Sequence, residues 1–206
     1  MIGIIDYGMG NLGSVTNAFR FLELDAKIVS RKQDMDDCRA LILPGVGAFG
    51  DCMAHLVEHD FVDPITSWVD AGKPLMGICL GLQALFQSSE ESPQIQGLGI
   101  FEGTVKKFEL PKELKVPQIG WNRMNEVKPD CPMFDGIDDE SFFYLVHSFY
   151  VRPADETIVA GRTHYGIEYC SAVWKDNVFA TQFHPEKSQA DGLRMLRNFQ
   201  IWADAQ

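Results

Sequence analysis

Leu75-Met76-Gly77-Ile78-Cys79-Leu80-Gly81-Leu82-Gln83-Ala84-Leu85-Phe86 is the stretch on which the fold turns. Residues 75–78 read as a buried strand and residues 80–86 as a helix, with a cysteine at the join. A strand that turns sharply into a helix lifts the side chain at the turn above the sheet edge. This is the nucleophile-elbow arrangement, with cysteine in place of serine. Gly77 and Gly81 remove the Cβ atoms that would clash in so tight a turn. The helix start offers Cys79 free N–H groups and a positive partial charge, and both favour thiolate over thiol. The Leu80 N–H points toward the place where an oxyanion would develop. Taken alone, the segment also fits a buried structural cysteine between two packing glycines.

Upstream, strands and helices alternate. Residues 2–7 form a strand pattern ended by Gly8, and residues 12–24 carry Val15, Ala18, Phe19 and Leu22 at helical spacing. Residues 26–29 and 40–43 read as short strands, the second stopped by Pro44-Gly45. Residues 49–57 and 61–69 read as helices, with Pro64 tolerable in a first turn. The alternation predicts an α/β fold of three layers: an open mixed, mostly parallel sheet with helices on both faces. Downstream, residues 104–108, 121–127, 142–151, 157–162, 171–174 and 178–182 are strand-like with few helices between them. Antiparallel hairpins or a sheet extension are expected there. A last helix is predicted over 189–203, with Leu193, Leu196, Phe199 and Ala203 on one side. The polar run at 88–93 reads as a loop inside the domain.

The chain has 206 residues, 46% hydrophobic and 23% charged, which predicts one globular domain with a sizeable core. A net charge of −11 disfavours nucleic-acid binding, because like charges repel. No stretch is apolar for long enough to span a bilayer, so no membrane role is expected. Met1-Ile2-Gly3-Ile4-Ile5-Asp6 lacks a basic region before its apolar run, so no signal peptide is read and a cytoplasmic location is expected. Five cysteines, an odd count without a C-x-x-C pair, indicate neither a disulfide framework nor a zinc ribbon.

Thr181-Gln182-Phe183-His184-Pro185-Glu186 supplies what a cysteine nucleophile needs. Residues two apart on a strand face the same way, so His184 and Glu186 are expected on one side near the end of the strand at 178–182. A histidine oriented by a carboxylate is then available as general base. Pro44-Gly45-Val46-Gly47-Ala48-Phe49-Gly50 is a glycine-rich loop at the C-terminal end of a strand, the edge at which open α/β sheets bind ligands. Two other motifs compete. Gly8-Met9-Gly10-Asn11-Leu12-Gly13 matches the dinucleotide fingerprint, but the second strand ends at Val29-Ser30-Arg31 without a ribose-binding acid. His55-Leu56-Val57-Glu58-His59 matches a zinc-protease helix motif, yet reads better as an exposed charged helix end. No third ligand follows from sequence, and no metal or cofactor is expected.

Gly77-Ile78-Cys79-Leu80-Gly81-Leu82-Gln83 together with Phe183-His184-Pro185-Glu186 resembles the class I, or triad, glutamine amidotransferases. Asp6-Tyr7-Gly8-Met9-Gly10-Asn11-Leu12, the 44–50 loop, Gly120-Trp121-Asn122, Tyr144-Leu145-Val146-His147-Ser148 and His184-Pro185-Glu186-Lys187-Ser188 narrow the likeness to the glutaminase subunits of imidazole glycerol phosphate synthases. The resemblance implies a single amidotransferase domain over 1–206 and a Cys79–His184–Glu186 triad. It implies an oxyanion hole from the backbone N–H groups of Leu80 and Val46. Gln83 and Glu91 would bind the amino-acid end of glutamine, with backbone of Gly47, Ser148 and Phe149 nearby. Ammonia would pass to a cyclase subunit, forming imidazole glycerol phosphate and aminoimidazole carboxamide ribotide in histidine biosynthesis. Asn11, Trp121, Tyr144 and Lys187 would lie near that heterodimer interface. Gln118-Ile119, Leu145 and Phe149 depart from the family pattern. They leave open a sister amidotransferase serving another synthase, such as one amidinating sugars.

Overall fold

The computed structural model describes the backbone of residues 1–206 and every side chain except that of Glu126. Five parallel strands form one half of the sheet. β1 (Ile2–Ile5) is followed by α1 (Leu12–Phe21), β2 (Ala26–Val29), β3 (Ala40–Gly45), α2 (Phe49–Glu58), α3 (Val62–Asp70) and β4 (Leu75–Cys79). β1 pairs with β2 and β3, and β3 with β4, all in parallel. The apolar alternation decides which helices cover which face. Ile2 and Ile4 of β1 and Ala40 and Ile42 of β3 pack in one core with Val15 and Phe19 of α1. Ile5 and the intervening Leu41 and Leu43 enter a second core with Phe49 and Leu56 of α2 and Ile65 and Trp68 of α3.

β4 passes directly into α4 (Leu80–Ala84), which is shorter than its sequence pattern promises. Residues 86–89 instead form a strand, β5 (Phe86–Ser89), paired in parallel with β6 (Phe101–Lys107). Phe86 leaves the helix to bury its ring against Phe101, 5.7 Å between centroids. Tertiary pairing thus overrides the local helical pattern. β7 (Gln118–Val127), β8 (Phe142–His147), β9 (Phe149–Pro153), β10 (Val159–Tyr165), β11 (Ile167–Lys175) and β12 (Val178–Thr181) follow, and α5 (Gln189–Asp204) closes the chain. The run at 142–151 is two strands, because the chain changes partner at Ser148: β8 pairs with β7, and β9 with β6 and β11. The sheet order β2-β1-β3-β4-β12-β11-β10-β7-β8 joins the parallel half to an antiparallel extension through β12. α5 packs Met195, Leu196, Phe199 and Trp202 onto the α1 face, so helices cover both faces. The C-terminal ends of β3, β4 and β12 lie side by side, with Gly45 opposite Cys79 and Thr181 opposite Ile78. Among the described residues, no helix is long and apolar enough to cross a membrane.

Candidate active site

Cys79 caps α4 with φ +57° and ψ −107°, a left-handed conformation that L-residues adopt only under constraint. The constraint is the sharp turn itself. A Cβ on Gly77 would sit 2.9 Å from the Gly81 carbonyl oxygen, and a Cβ on Gly81 would run into the carbonyl of Leu43. Glycine at both positions lets α4 press against β3 and β4, which fixes the cysteine above the sheet edge. α4 is only five residues long, so the electrostatic help at Cys79 comes from the unpaired N–H groups of one turn rather than from a long helix.

His184 Nδ1 lies 2.9 Å from Glu186 Oε1, with both side chains buried at 2% and 1% exposed. The local geometry differs from simple strand alternation. β12 ends at Thr181, and Pro185–Lys187 form a turn of 3-10 helix with His184 at its cap. Pro185 has no N–H to lose and a φ suited to the first helical position, so it starts the turn that folds Glu186 back onto the ring. The Ser188 hydroxyl donates to the His184 carbonyl at 2.7 Å, and Ser188 Oγ accepts from the Tyr144 N–H at 3.0 Å. The His184 N–H donates to the Tyr144 carbonyl at 2.9 Å. His184 is therefore stitched to β8.

With Nδ1 donating to Glu186, Nε2 is the atom left for chemistry. It is buried, makes no hydrogen bond, and His184 lines the same cavity as Cys79. The imidazole is raised to about 10: burial lowers it, and the Cys79 sulfur and Glu186 carboxylate more than offset that. Burial acts oppositely on the other thiols. It pushes Cys52 up to about 11, Cys131 and Cys170 to about 12, and Cys38 upward.

The cavity measures about 280 Å³, close to the lower limit of roughly 300 Å³ for drug-sized pockets and so suited to an amino-acid side chain and its backbone groups. Cys79 and Leu80 of the elbow, Val46 and Gly47 of the glycine-rich loop, and His184 line it. So do Gln83, Glu91, Ser148 and Phe149. All the triad, oxyanion and substrate residues expected from sequence thus share one cavity, except that Glu186 stands behind His184. Gly47 has φ +104°, and Val46 is exposed. Glu91 Oε2 accepts from the Phe49 N–H at 2.7 Å, which ties the acid to the start of α2. Gln83 Nε2 donates to the Phe149 carbonyl at 3.2 Å.

Two polar residues at the site were not singled out from sequence. His147 lines the cavity, donates from Nδ1 to the Phe149 carbonyl at 2.8 Å and meets the Tyr169 hydroxyl at 3.2 Å. Gln182 Nε2 reaches the Cys79 sulfur at 3.7 Å. The period-2 argument that singled out His184 also reaches Gln182, two residues earlier; no comparable signal marks His147.

The four residues expected near an interface are placed as follows. Trp121 is 45% exposed and packs edge-on to Tyr144, with centroids 6.2 Å apart; Lys187 Nζ sits 5.8 Å above the Tyr144 ring. Tyr144 lies 6.5 Å, ring to ring, from His184. Asn11 caps α1, its side chain accepting from the Ser14 N–H at 3.2 Å, and α1 itself packs against the Pro185–Lys187 turn.

The competing motifs resolve differently. In the Gly8–Gly13 turn, Asp6 Oδ1 accepts from the Gly8 N–H at 3.1 Å. A carboxylate thus occupies a donor that a pyrophosphate would need, and its charge opposes an anion. His55, Glu58 and His59, in and just after the last turn of α2, bring one ligand atom each within 4.8 Å of one another. Among the described residues they are the grouping able to hold a divalent cation, and none of them lines the catalytic cavity.

Residues 3–202 match the glutamine amidotransferase class-I family. The chain is 50% identical over 204 residues to the imidazole glycerol phosphate synthase subunit HisH of Syntrophotalea carbinolica, covering 97% of this chain and 98% of that protein. It is 49% identical over 199 residues to the corresponding HisH subunit of Rhodopirellula baltica, covering 97% and 96%. The structure of PurLQS from Thermotoga maritima superposes with a TM-score of 0.78 over 98% of this chain and 97% of that one; at 20% identity this shows a shared fold. A chain that aligns end to end with such subunits at about half identity belongs to the class-I glutamine amidotransferase family and, within it, to the HisH group.

Proposed function

We propose that residues 1–206 form one amidotransferase domain that hydrolyses glutamine to glutamate and ammonia and delivers the ammonia to a cyclase subunit of imidazole glycerol phosphate synthase. The observation that carries the chemistry is the buried His184–Glu186 pair, whose free Nε2 opens on the cavity holding Cys79. In this reading His184 takes the Cys79 proton and the sulfur attacks the carboxamide carbon of glutamine. The oxyanion is held by the backbone N–H groups of Leu80 and Val46. The tetrahedral intermediate collapses, the C–N bond breaks, and the proton on His184 leaves with ammonia. Water, deprotonated by the same imidazole, then cleaves the glutamyl thioester and releases glutamate. Gln83, Glu91 and the backbone of Gly47, Ser148 and Phe149 position the amino-acid end. No metal or cofactor enters the scheme.

The partner surface follows from exposure. Ile119, Trp121 and Phe142 are 64%, 45% and 55% exposed on the β7–β8 hairpin, and the pairing of Trp121 with Tyr144 puts this patch beside the triad turn. Exposed aromatic and aliphatic side chains grouped next to a catalytic cavity suit a docking face. Ammonia made there would leave toward a cyclase that converts it, with its own phosphorylated substrate, to imidazole glycerol phosphate and aminoimidazole carboxamide ribotide.

Exposure of the chain to a glutamine-like electrophile, followed by mass mapping, tests the nucleophile. The first adduct should fall on Cys79, glutamine should slow it, and Cys79→Ala should abolish hydrolysis while unfolding as the wild type does. A first adduct on Cys38, Cys52, Cys131 or Cys170 would overturn the assignment.

A further inference from the structure

Gln182 is fully buried, and a buried side-chain amide is costly unless its donors and acceptor are paired. Its contacts also fix which way round it sits. The Phe149 carbonyl can only accept, so the Gln83 amide must turn its nitrogen toward it, at 3.2 Å. That same nitrogen lies 3.0 Å from the end of Gln182, which must therefore present oxygen. The Gln182 nitrogen is left facing Cys79 Sγ at 3.7 Å, within range of an N–H···S bond. One line of amides thus runs from the Phe149 carbonyl through Gln83 and Gln182 to the nucleophile.

We propose that Gln182 is a further catalytic residue, donating a hydrogen bond that stabilises the Cys79 thiolate and aims its sulfur into the cavity. The assignment rests on Cys79 being the nucleophile of the proposed glutaminase. A donor on an ionised sulfur lowers the energy of the thiolate more than that of the thiol. Gln182 lies two residues before His184, so one short segment carries both the base that takes the thiol proton and the donor that holds the resulting charge. Because Gln83 and Phe149 line the cavity, a ligand that pulls on either shifts the amide line that ends on the sulfur.

The test is the pH profile of Cys79 alkylation by iodoacetamide, a reaction that needs no glutamine, measured with kcat and KM for glutamine. The titratable groups around the sulfur are His184 with Glu186 behind it, Tyr7, and Glu91 and His147 across the cavity, and none of these is altered. Gln182→Leu should slow alkylation at neutral pH by roughly tenfold and move the profile to higher pH, the scale of one hydrogen bond to a charged group. Gln182→Glu, nearly the same shape but an acceptor beside a thiolate, should move it further. In both, kcat should fall more than KM rises. A folded Gln182→Leu chain with the wild-type profile would overturn the proposal. So would the failure of both variants to fold, since the amide would then be a core strut. If alkylation shifts as expected but the wild type does not hydrolyse glutamine, the hydrogen bond stands and the glutaminase reading fails.

Discussion

Cys79 is held at a positive φ that costs a non-glycine residue on the order of 1–3 kcal/mol, so the surrounding packing must impose it. The return is position: a sulfur above the sheet edge, opposite a histidine whose free nitrogen is buried without a partner. His147 is the other buried imidazole at the site, and its environment drives it the opposite way from His184. Burial lowers it to about 4, opposed by its bond to the Phe149 carbonyl and reinforced by the nearby His184. Between about pH 6.5 and 4 the unfolded chain binds a proton that the native chain refuses, so this group removes stability as pH falls through that window. The loss approaches about 3 kcal/mol at its lower end. Urea unfolding across pH 7 to 4.5 should therefore show a steeper fall for the wild type than for His147→Gln. Parallel curves would mean that His147 is not held neutral.

At the scale of elements, the β4–α4 elbow is the unit that makes the site, and its glycines are its weak point. Gly81→Ala should destabilise the fold by about 1–3 kcal/mol or more and slow Cys79 alkylation, because a methyl group there meets the Leu43 carbonyl. Thermal melts read with alkylation rates check both halves. The elbow was legible in the sequence because its signal is local: an apolar run, two glycines and a cysteine within seven residues. The His-Pro-Glu segment was legible as chemistry but not as geometry, since Pro185 begins a turn that the alternation of strand residues does not describe. β5 and the break at Ser148 were not legible, because each depends on strand partners remote in the chain. That break matters to function: it turns residues 147–149 toward the cavity, where the Phe149 carbonyl anchors both His147 and Gln83. Gln182 stood in the quoted motif, but only the packed structure reveals that its amide meets the sulfur.

Across the whole molecule, the parallel half of the sheet carries Cys79, the proposed nucleophile, the antiparallel half supplies an exposed hairpin, and β12 with the His184–Glu186 turn lies between them. The β8 backbone is bonded to His184 and Ser188, so a partner seated on the Trp121 side of that hairpin, as proposed, would be mechanically connected to His184. The glycine-rich loop offers a second control point. β3 runs through Gly45, which is packed against Leu80, so only residues 46–48 separate it from α2, and in the proposed mechanism rotation there would present or withdraw the Val46 N–H. Ammonia released to water is lost to the synthase, so hydrolysis should wait for assembly. One oxyanion donor is worth roughly a hundred- to a thousandfold in rate. The most direct measurement is the steady-state release of glutamate from glutamine by this chain alone and with the cyclase subunit carrying its ligand. The account predicts weak turnover alone and stimulation of at least about a hundredfold on assembly. Equal turnover with and without the cyclase would contradict it and leave a stand-alone glutaminase.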